Sequence, residues 1–213
     1  MLSTETAQTL DRGLRLLKIV ADTPDGLTIT EAAEKLEVGR AVVYRLVGPL
    51  TAHALLRRDP AGRLRLGLGV LQLARRAQPL VADAAQAPLR RLAEAAGATA
   101  HLTVADGGEA LALVVVEPSW TQFHVAYRAG SRHPLDQGAA GKAILRGRPG
   151  QPGWVGSVGE LQPGAHGLAA PVLGVPGLEA SVGVVSLGPL DGAVVGPLVL
   201  QAATELTAAL AAA

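Results

Sequence analysis

Between Leu27 and Leu66 the chain reads LTITEAAEKLEVGRAVVYRLVGPLTAHALLRRDPAGRLRL, and within this stretch its apolar spacing changes from helical to alternating. Thr28 stands three residues ahead of Glu31, the spacing of a capping box, in which each side chain satisfies the other residue's free backbone amide. Ala32, Ala33 and Leu36 then recur along one side of a short helix. After Glu37-Val38-Gly39 a second helix is predicted, with Val43, Leu46, Val47 and Leu50 inward and Arg40, Tyr44 and Arg45 on the other side. Gly39 is a weaker cap than Ser or Asp. Pro49 has no amide proton and crowds the preceding turn, so it is expected to kink or stop this helix. Leu55 to Arg58 and Arg63 to Leu66 alternate around Asp59-Pro60-Ala61-Gly62, a turn sequence, which predicts a two-stranded hairpin. Two short helices, a sharp connection and a basic hairpin describe a winged helix-turn-helix.

Charge points the same way. Residues 40 to 65 carry six arginines (40, 45, 57, 58, 63 and 65) against the single acid Asp59, while the whole chain has a net charge of only +1. Up to Gln78 there are twelve basic and eight acidic residues, and beyond it seven and ten, so the basic excess is local. Clustered arginines displace the condensed counterions of a nucleic-acid backbone. A solvated arginine face is the alternative reading of the run alone. Arginines on both strands of a wing behind a helix-turn-helix favour double-stranded DNA.

A chain of 213 residues suits two small domains. It has no cysteine, which excludes disulfides and thiolate chemistry and is compatible with a reducing cytoplasm. The amino end, MLSTETAQTLDRG, carries acids and no apolar core, unlike a signal peptide. No apolar run is expected to reach the roughly 20 residues of a membrane span. Enzymatic readings find no support: the five histidines, His53, His101, His124, His133 and His166, lack metal-ligand spacing, and there is no nucleophile elbow. No metal or cofactor is expected.

Along the chain, Thr9 to Ala21 predicts a first helix whose apolar face spreads over Leu10, Leu14, Leu16, Leu17 and Val20, wide enough to be shared. Gly67 to Gln78 reads as a linking helix, interrupted at Pro79, a domain boundary. Leu80 to Ala96 reads as a separate amphipathic helix with Leu80, Leu89 and Leu92 on or near one face, broken or offset at Pro88. Thr99 to Ala105 and Glu109 to Val116 predict a hairpin about Asp106-Gly107-Gly108. Strands are also predicted at Phe123 to Tyr127, Leu168 to Leu173 and Ala180 to Leu187, and helices from Gly138 to Leu145 and from Leu198 to Ala212. The Gly/Pro-rich stretch Gly147 to Gly153 is expected to be irregular. Hairpin-paired strands interrupted by helices indicate an α+β domain with an antiparallel sheet.

In order and spacing, these landmarks resemble an IclR-type bacterial transcriptional regulator over nearly the whole chain. TLDRGLRLLKIV resembles the family's first helix, Leu27 to Leu56 its helix-turn-helix, and GRLRLGLGVLQLARRA its wing exit and linker. HLTVADGGEALALVVVEP resembles the opening hairpin of its sensor domain, GSRHPLDQGAAGKAIL its central loop and helix, and GELQPGAHGLAAPVLG with VGVVSLGP its last strands. The resemblance implies a winged helix-turn-helix at residues 1–66, a linker helix at 67–78 and a GAF-like effector-binding and oligomerisation domain at 79–213. It further implies a homodimer or dimer of dimers acting in the cytoplasm on a (pseudo)palindromic double-stranded operator.

By the same resemblance the reading helix maps onto Arg40 to Leu50, with Arg40, Ala41, Val42, Tyr44 and Arg45 nearest the groove and Thr28 at the mouth of the motif. Arginine can take guanine bidentately and Val42 can touch a thymine methyl, whereas Arg45 and the wing arginines Arg57, Arg58, Arg63 and Arg65 suit phosphate. Tyr44 equally suits packing against the preceding helix. In the sensor, the amides of Ala139, Ala140 and Gly141 begin a helix and would favour a small carboxylate effector, although such small residues also permit close packing. The run is not a P-loop, since Asp136 stands at the first glycine and Ala143 follows Lys142. Ser157 and Gly167 map to ligand-facing positions, as do Val185 and Leu187 where relatives carry hydroxyls, which makes this pocket more apolar or its ligand different. Ser186 is expected on the opposite face. Between Leu145 and Trp154 relatives carry further helices that cover the pocket. The shortened segment at 146–153 leaves the sensor open, ligand-free or filled across an oligomer interface by Trp154 or Trp120, and raises the alternative of a degenerate sensor that only oligomerises.

Overall fold

In the computed structural model, which describes residues 7–120 and 127–212, the capping box forms. The Thr28 hydroxyl accepts from the Glu31 amide at 3.2 Å, and the Thr28 amide donates to the Glu31 carboxylate at 2.7 Å. It starts α2 (Ile29–Leu36), which follows α1 (Gln8–Ala21) and precedes α3 (Arg40–Ala52). Glu37 closes α2 in the left-handed conformation at φ 56°, and the chain turns into α3. Strands β1 (Leu56–Arg58) and β2 (Leu64–Leu66) pair antiparallel as the wing. Leu27 and Leu64 exchange backbone hydrogen bonds, so the wing is tied to the residue just before the capping box. Leu16, Val20, Ala32, Leu36, Val43, Leu46, Leu56 and Leu64 form the buried core of this unit. Only part of the α1 face is used: Leu16 and Val20 are buried, whereas Leu10 and Leu14 are exposed.

Four prolines lie inside helices, contrary to the breaks expected. Pro49 neither stops nor shortens α3, which runs on to Ala52. The expected linker helix and the helix after it are one element, α4 (Gly69–Ala96), containing Pro79 and Pro88. Pro49, Pro79 and Pro197 lie on exposed helix surfaces, where the carbonyl freed by the missing amide can bond to water. Pro88 is buried instead, one residue before the core side chain Leu89. Leu80 departs from the predicted face: it is exposed, while Leu89 and Leu92 are buried.

The chain divides into two compact units, one ending at Ala77 and one beginning at Gln78. The second is built on β3 (Thr99–Asp106), β4 (Glu109–Val116), β5 (Arg132–Pro134), β6 (Val155–Val158), β7 (His166–Val172) and β8 (Ala180–Ser186). These strands form one antiparallel sheet in the order β5-β4-β3-β8-β7-β6, and the fold is α+β. Strands β5 and β6, of three and four residues, were not predicted because so short an edge strand shows no alternation. The strand expected at Phe123 to Tyr127 falls outside the described residues except for Tyr127, which is not in a strand.

The two faces of this sheet differ. Ala100, Leu102, Leu168, Ala170, Val182 and Val184 pack with Leu89 and Leu92 of α4 and with Val199 and Leu206 of α6 (Gly192–Ala211). Period-two alternation sends His101, Thr103, Ser181 and Gly183 to the other side, where α5 (Gly138–Gly147) lies and Ser181 donates to the Ala140 carbonyl at 3.0 Å. Helix α6 begins six residues before Leu198, capped by the Asp191 carboxylate, which accepts from the Ala193 amide at 2.9 Å. By length and composition alone α6 would pass for a membrane span, contrary to the expectation that no run qualified, but its Val195, Val199, Ala202 and Leu206 are buried in the core.

Thr28→Ala removes one half of the capping box and should cost the winged unit about 1 kcal/mol. Urea unfolding followed by circular dichroism measures this, with Thr28→Ser expected to stay close to wild type.

Candidate functional site

The arginines of the winged unit separate into two groups. Arg40 and Arg45 lie exposed on α3 with Ala41 and Tyr44, and Val42 is half-buried. Tyr44 is 58% exposed, and the Arg58 guanidinium stacks over its ring at 5.7 Å, so Tyr44 joins α3 to the wing rather than packing inward. Arg40, Arg45 and Arg57 make no ion pair among the described residues.

Arg63 and Arg65 are held differently. Arg63 donates to the Gly26 carbonyl at 2.8 Å and to the Glu31 carboxylate at 3.0 Å. Arg65 pairs with Asp59 at 2.9 Å and donates to the Pro24 carbonyl at 2.6 Å. Asp59 is held ionised, its pKa lowered first by Arg65 and then by the Arg63 amide, and Glu31 is lowered mainly by the Thr28 amide and hydroxyl. These two arginines fasten the wing to the loop before α2. These contacts take Nε and one terminal nitrogen of each guanidinium, so Arg63 and Arg65 serve the fold with part of the donor set that was expected to hold phosphate. Thr28 is half-buried and its oxygen is committed to the cap.

On the α5 side of the sheet a cleft of about 80 Å³ is lined by Ala139, Ala140, Ser157, Gly167 and Val185, which the sequence nominated, and by His101, Tyr127, His133, Glu160 and His166, which it did not. Gly141 is not among the lining residues. A Cβ at that position would strike the Leu135 carbonyl, so Gly141 serves close packing. Leu187 lies outside the cleft and is 57% exposed, just past the end of β8. Ser186 accepts the Gly188 amide at 3.1 Å and does not line the cleft. Neither tryptophan lines it: Trp120 covers Gly97, and Trp154 lies over Gly192 and Gly196 of α6.

The amino end of α5 is already engaged. The Gly138 amide donates to the Glu160 carboxylate at 2.9 Å, and the Ala139 amide donates to the Ser157 hydroxyl at 2.9 Å. Lys142 pairs with the other oxygen of Glu160. Lys142 first, and the Gly138 amide second, lower the Glu160 pKa. Nothing local marks Glu160 in the sequence, since its partners lie 18 and 22 residues away.

Two buried histidines stand on the cleft wall. His133 is 7% exposed, its Nδ1 lies 3.0 Å from the Pro134 carbonyl, and its Nε2 has no partner among the described residues. A carbonyl only accepts, so neutral His133 carries its proton on Nδ1 and presents Nε2 as an acceptor. His101 sits 3.1 Å from the Thr103 hydroxyl and edge-on to Tyr127, with ring centroids 5.1 Å apart. Burial first, then the neighbouring His133, pushes its pKa down to about 3. Burial raises the Tyr127 phenol, and the Thr103 hydroxyl partly offsets this. The alternation that places Leu102 in the apolar core would have sent His101 to this face; its neighbours there come from distant strands.

A winged helix-turn-helix thus precedes an α+β sheet unit that carries a small cleft on its α5 side. The helix-turn-helix model of the IclR family matches residues 9–60, and the model of the bacterial transcriptional regulator IclR C-terminal domain matches residues 77–151. The chain belongs to the IclR family. It is 31% identical over 147 residues to the HTH-type transcriptional regulator BhcR of Paracoccus denitrificans, covering 64% of this chain and 49% of that protein. Across its curated relatives, the chain spans about half of their length. The solved IclR regulator from Alicyclobacillus acidocaldarius shares the fold with TM-score 0.55 at 21% identity, covering 95% of this chain and 98% of that one. An IclR homolog from Microbacterium hydrocarbonoxydans, complexed with 4-hydroxybenzoate, aligns with TM-score 0.54 at 17% identity, covering 96% of this chain and all of that one.

His101 gives the sheet unit a distinctive acid response. The unfolded chain takes up this proton near pH 6.5, the folded one only near pH 3. Stability is therefore unaffected above that range and falls as pH drops through it, by about 1.4 kcal/mol per pH unit. Both tryptophans belong to the sheet unit, so denaturant titrations read by tryptophan fluorescence isolate the effect. Between pH 6 and 4, His101→Gln should flatten the slope by about that amount.

Proposed function

We propose that this chain is a DNA-binding regulator that grips a double-stranded operator through α3 and the wing and tunes that grip through a small carboxylate bound in its sheet unit. The single observation that carries the DNA reading is the exposure of Arg40 and Arg45 on α3 and of Arg57 and Arg58 on the wing, with Arg58 stacked over Tyr44 of α3. In this reading Arg40, Ala41 and Val42, at the amino end of α3, face base edges, and Arg45, Arg57 and Arg58 hold phosphate. The exposed Leu10 and Leu14 of α1, with Leu68, Leu71 and Leu73 at the start of α4, leave apolar surface that supports a homodimer. Two-fold symmetry then calls for a (pseudo)palindromic operator, and the work is done where DNA lies, in the cytoplasm.

For the effector, the support is the group Ala139, Ala140, Ser157, Gly167 and Val185 around one cleft, together with a structural neighbour whose bound ligand, 4-hydroxybenzoate, is a small carboxylate. A second reading is favoured by a specific observation. The cleft is about 80 Å³ and the amides at its floor are already engaged, which suits a degenerate GAF-like unit kept only for oligomerisation.

Duplexes selected by repeated rounds of binding provide the operator for mobility-shift assays. Arg40→Ala and Arg45→Ala should each weaken binding by about tenfold, in line with the 1–3 kcal/mol of a bidentate base contact and the smaller share of a phosphate contact. Arg57→Ala should lower the salt slope by about one. Arg65→Ala should leave affinity within about threefold while lowering thermal stability, because its partners are internal. Wild-type binding by both the Arg40 and Arg45 variants would sink the groove assignment. Addition of 4-hydroxybenzoate to the same assay separates a working sensor from a degenerate one.

A further inference from the structure

The amino end of α5 holds a carboxylate that belongs to the chain itself. Glu160, from the loop between β6 and β7, accepts the Gly138 amide at 2.9 Å and pairs with Lys142, two positions beyond Ala140. Free amides at a helix start, backed by the helix dipole, suit any carboxylate, tethered or free. Next to Glu160, Leu161 lies over the same helix end: a Cβ on Gly138 would come within 2.7 Å of its Cδ1. Leu161 remains 47% exposed, so the loop rests on the cleft without being built into the core.

A second observation points to a guest. His133, buried to more than nine-tenths, keeps an unpartnered Nε2 on the wall of this cleft, and its ring carbon Cε1 lies 3.6 Å from where a Cβ on Gly138 would stand. A buried acceptor left without a donor is costly, and native proteins rarely leave one without a reason. Glu160, ionised, has no proton to give it. A ligand that brings a carboxylate to the α5 amides and a hydrogen-bond donor to His133 would satisfy both ends of the cleft. The tether satisfies one.

We propose that Glu160 is a tethered competitor for the effector's carboxylate: in the ligand-free chain it occupies the α5 amino end, and an incoming small carboxylate must displace it, lifting residues 159–165 as it binds. This rests on the reading of the cleft as a carboxylate site. It explains why the cleft is small, since the loop that fills it carries the competing group. The exchange needs no new charge, because one carboxylate replaces another beside Lys142. The displaced Glu160 moves to solvent, where it is readily hydrated.

The test uses the whole 213-residue chain, with acetate as the probe and acetamide and chloride as controls for charge and ionic strength. Thermal unfolding read by tryptophan fluorescence, together with calorimetric titration, compares wild type with Glu160→Ala and Glu160→Gln. The expected result is that acetate stabilises Glu160→Ala with an affinity at least tenfold higher than for wild type, while acetamide and chloride do not. Glu160→Gln, which keeps the shape and loses the charge, should also gain, and it carries the test if the alanine variant fails to fold. Equal acetate affinity in wild type and variants would overturn the competitor and leave the carboxylate cleft standing. No acetate binding in any form would overturn both.

Discussion

His101 pairs with Gly183 and Leu102 with Val182 at the centre of the sheet, and that register decides what each face of the sheet unit is made of. Leu102 and Val182 look toward α4 and α6; His101 and Gly183 look toward α5. A slip of one residue would exchange the two sets, placing an imidazole in the apolar core and a leucine on the cleft wall. Gly183 is required by this pairing, because a Cβ there would stand 2.9 Å from the His101 ring. The buried, neutral His101, the packing of α5 and the position of the cleft all follow from the same pairing.

A second theme is competition between internal and external partners for the same charged groups. Arg63 and Arg65 carry the charge expected of a phosphate-binding wing, yet they hold carbonyls and carboxylates of the loop before α2 and of the wing turn. In the other unit the α5 amides meet Glu160 and Ser157. In both places a group suited to a ligand serves the fold first. On the wing this ties the hairpin to the helix-turn-helix and leaves Arg57 and Arg58 exposed, as Arg40 and Arg45 are on α3. In the sheet unit it places a carboxylate of the chain's own at the amino end of α5.

Local rules were readable where local interactions decide. Thr28 and Glu31 announced their capping box because both partners lie within one helical turn, and the wing was readable from alternation about Asp59 to Gly62. The proline rule failed at Pro49 and Pro79, since it prices a missing hydrogen bond without knowing that both prolines lie on exposed helix surface. The cleft was half readable. Ala139, Ser157 and Gly167 were nominated, whereas His133 and Glu160, although they lie in stretches that resemble the family, reach the site through a short edge strand and a loop with no periodicity of their own. Gly141 was nominated as a ligand contact and proved to be a packing glycine, a distinction that rests on the position of the Leu135 carbonyl.

The sequence by itself determined the order of the parts: a capped helix-turn-helix with a basic wing, a helical connection, and an antiparallel sheet interrupted by helices. Those features come from propensity, period and turn chemistry, all of which act over a few residues. Only the tertiary structure decided which arginines remain free and which side chains meet across the sheet. It also decided that a glutamate 22 residues downstream of Gly138 takes the end of α5. Such pairings depend on distances closed by strand register and loop path, and a one-dimensional pattern contains no term for the space between residues far apart in the chain.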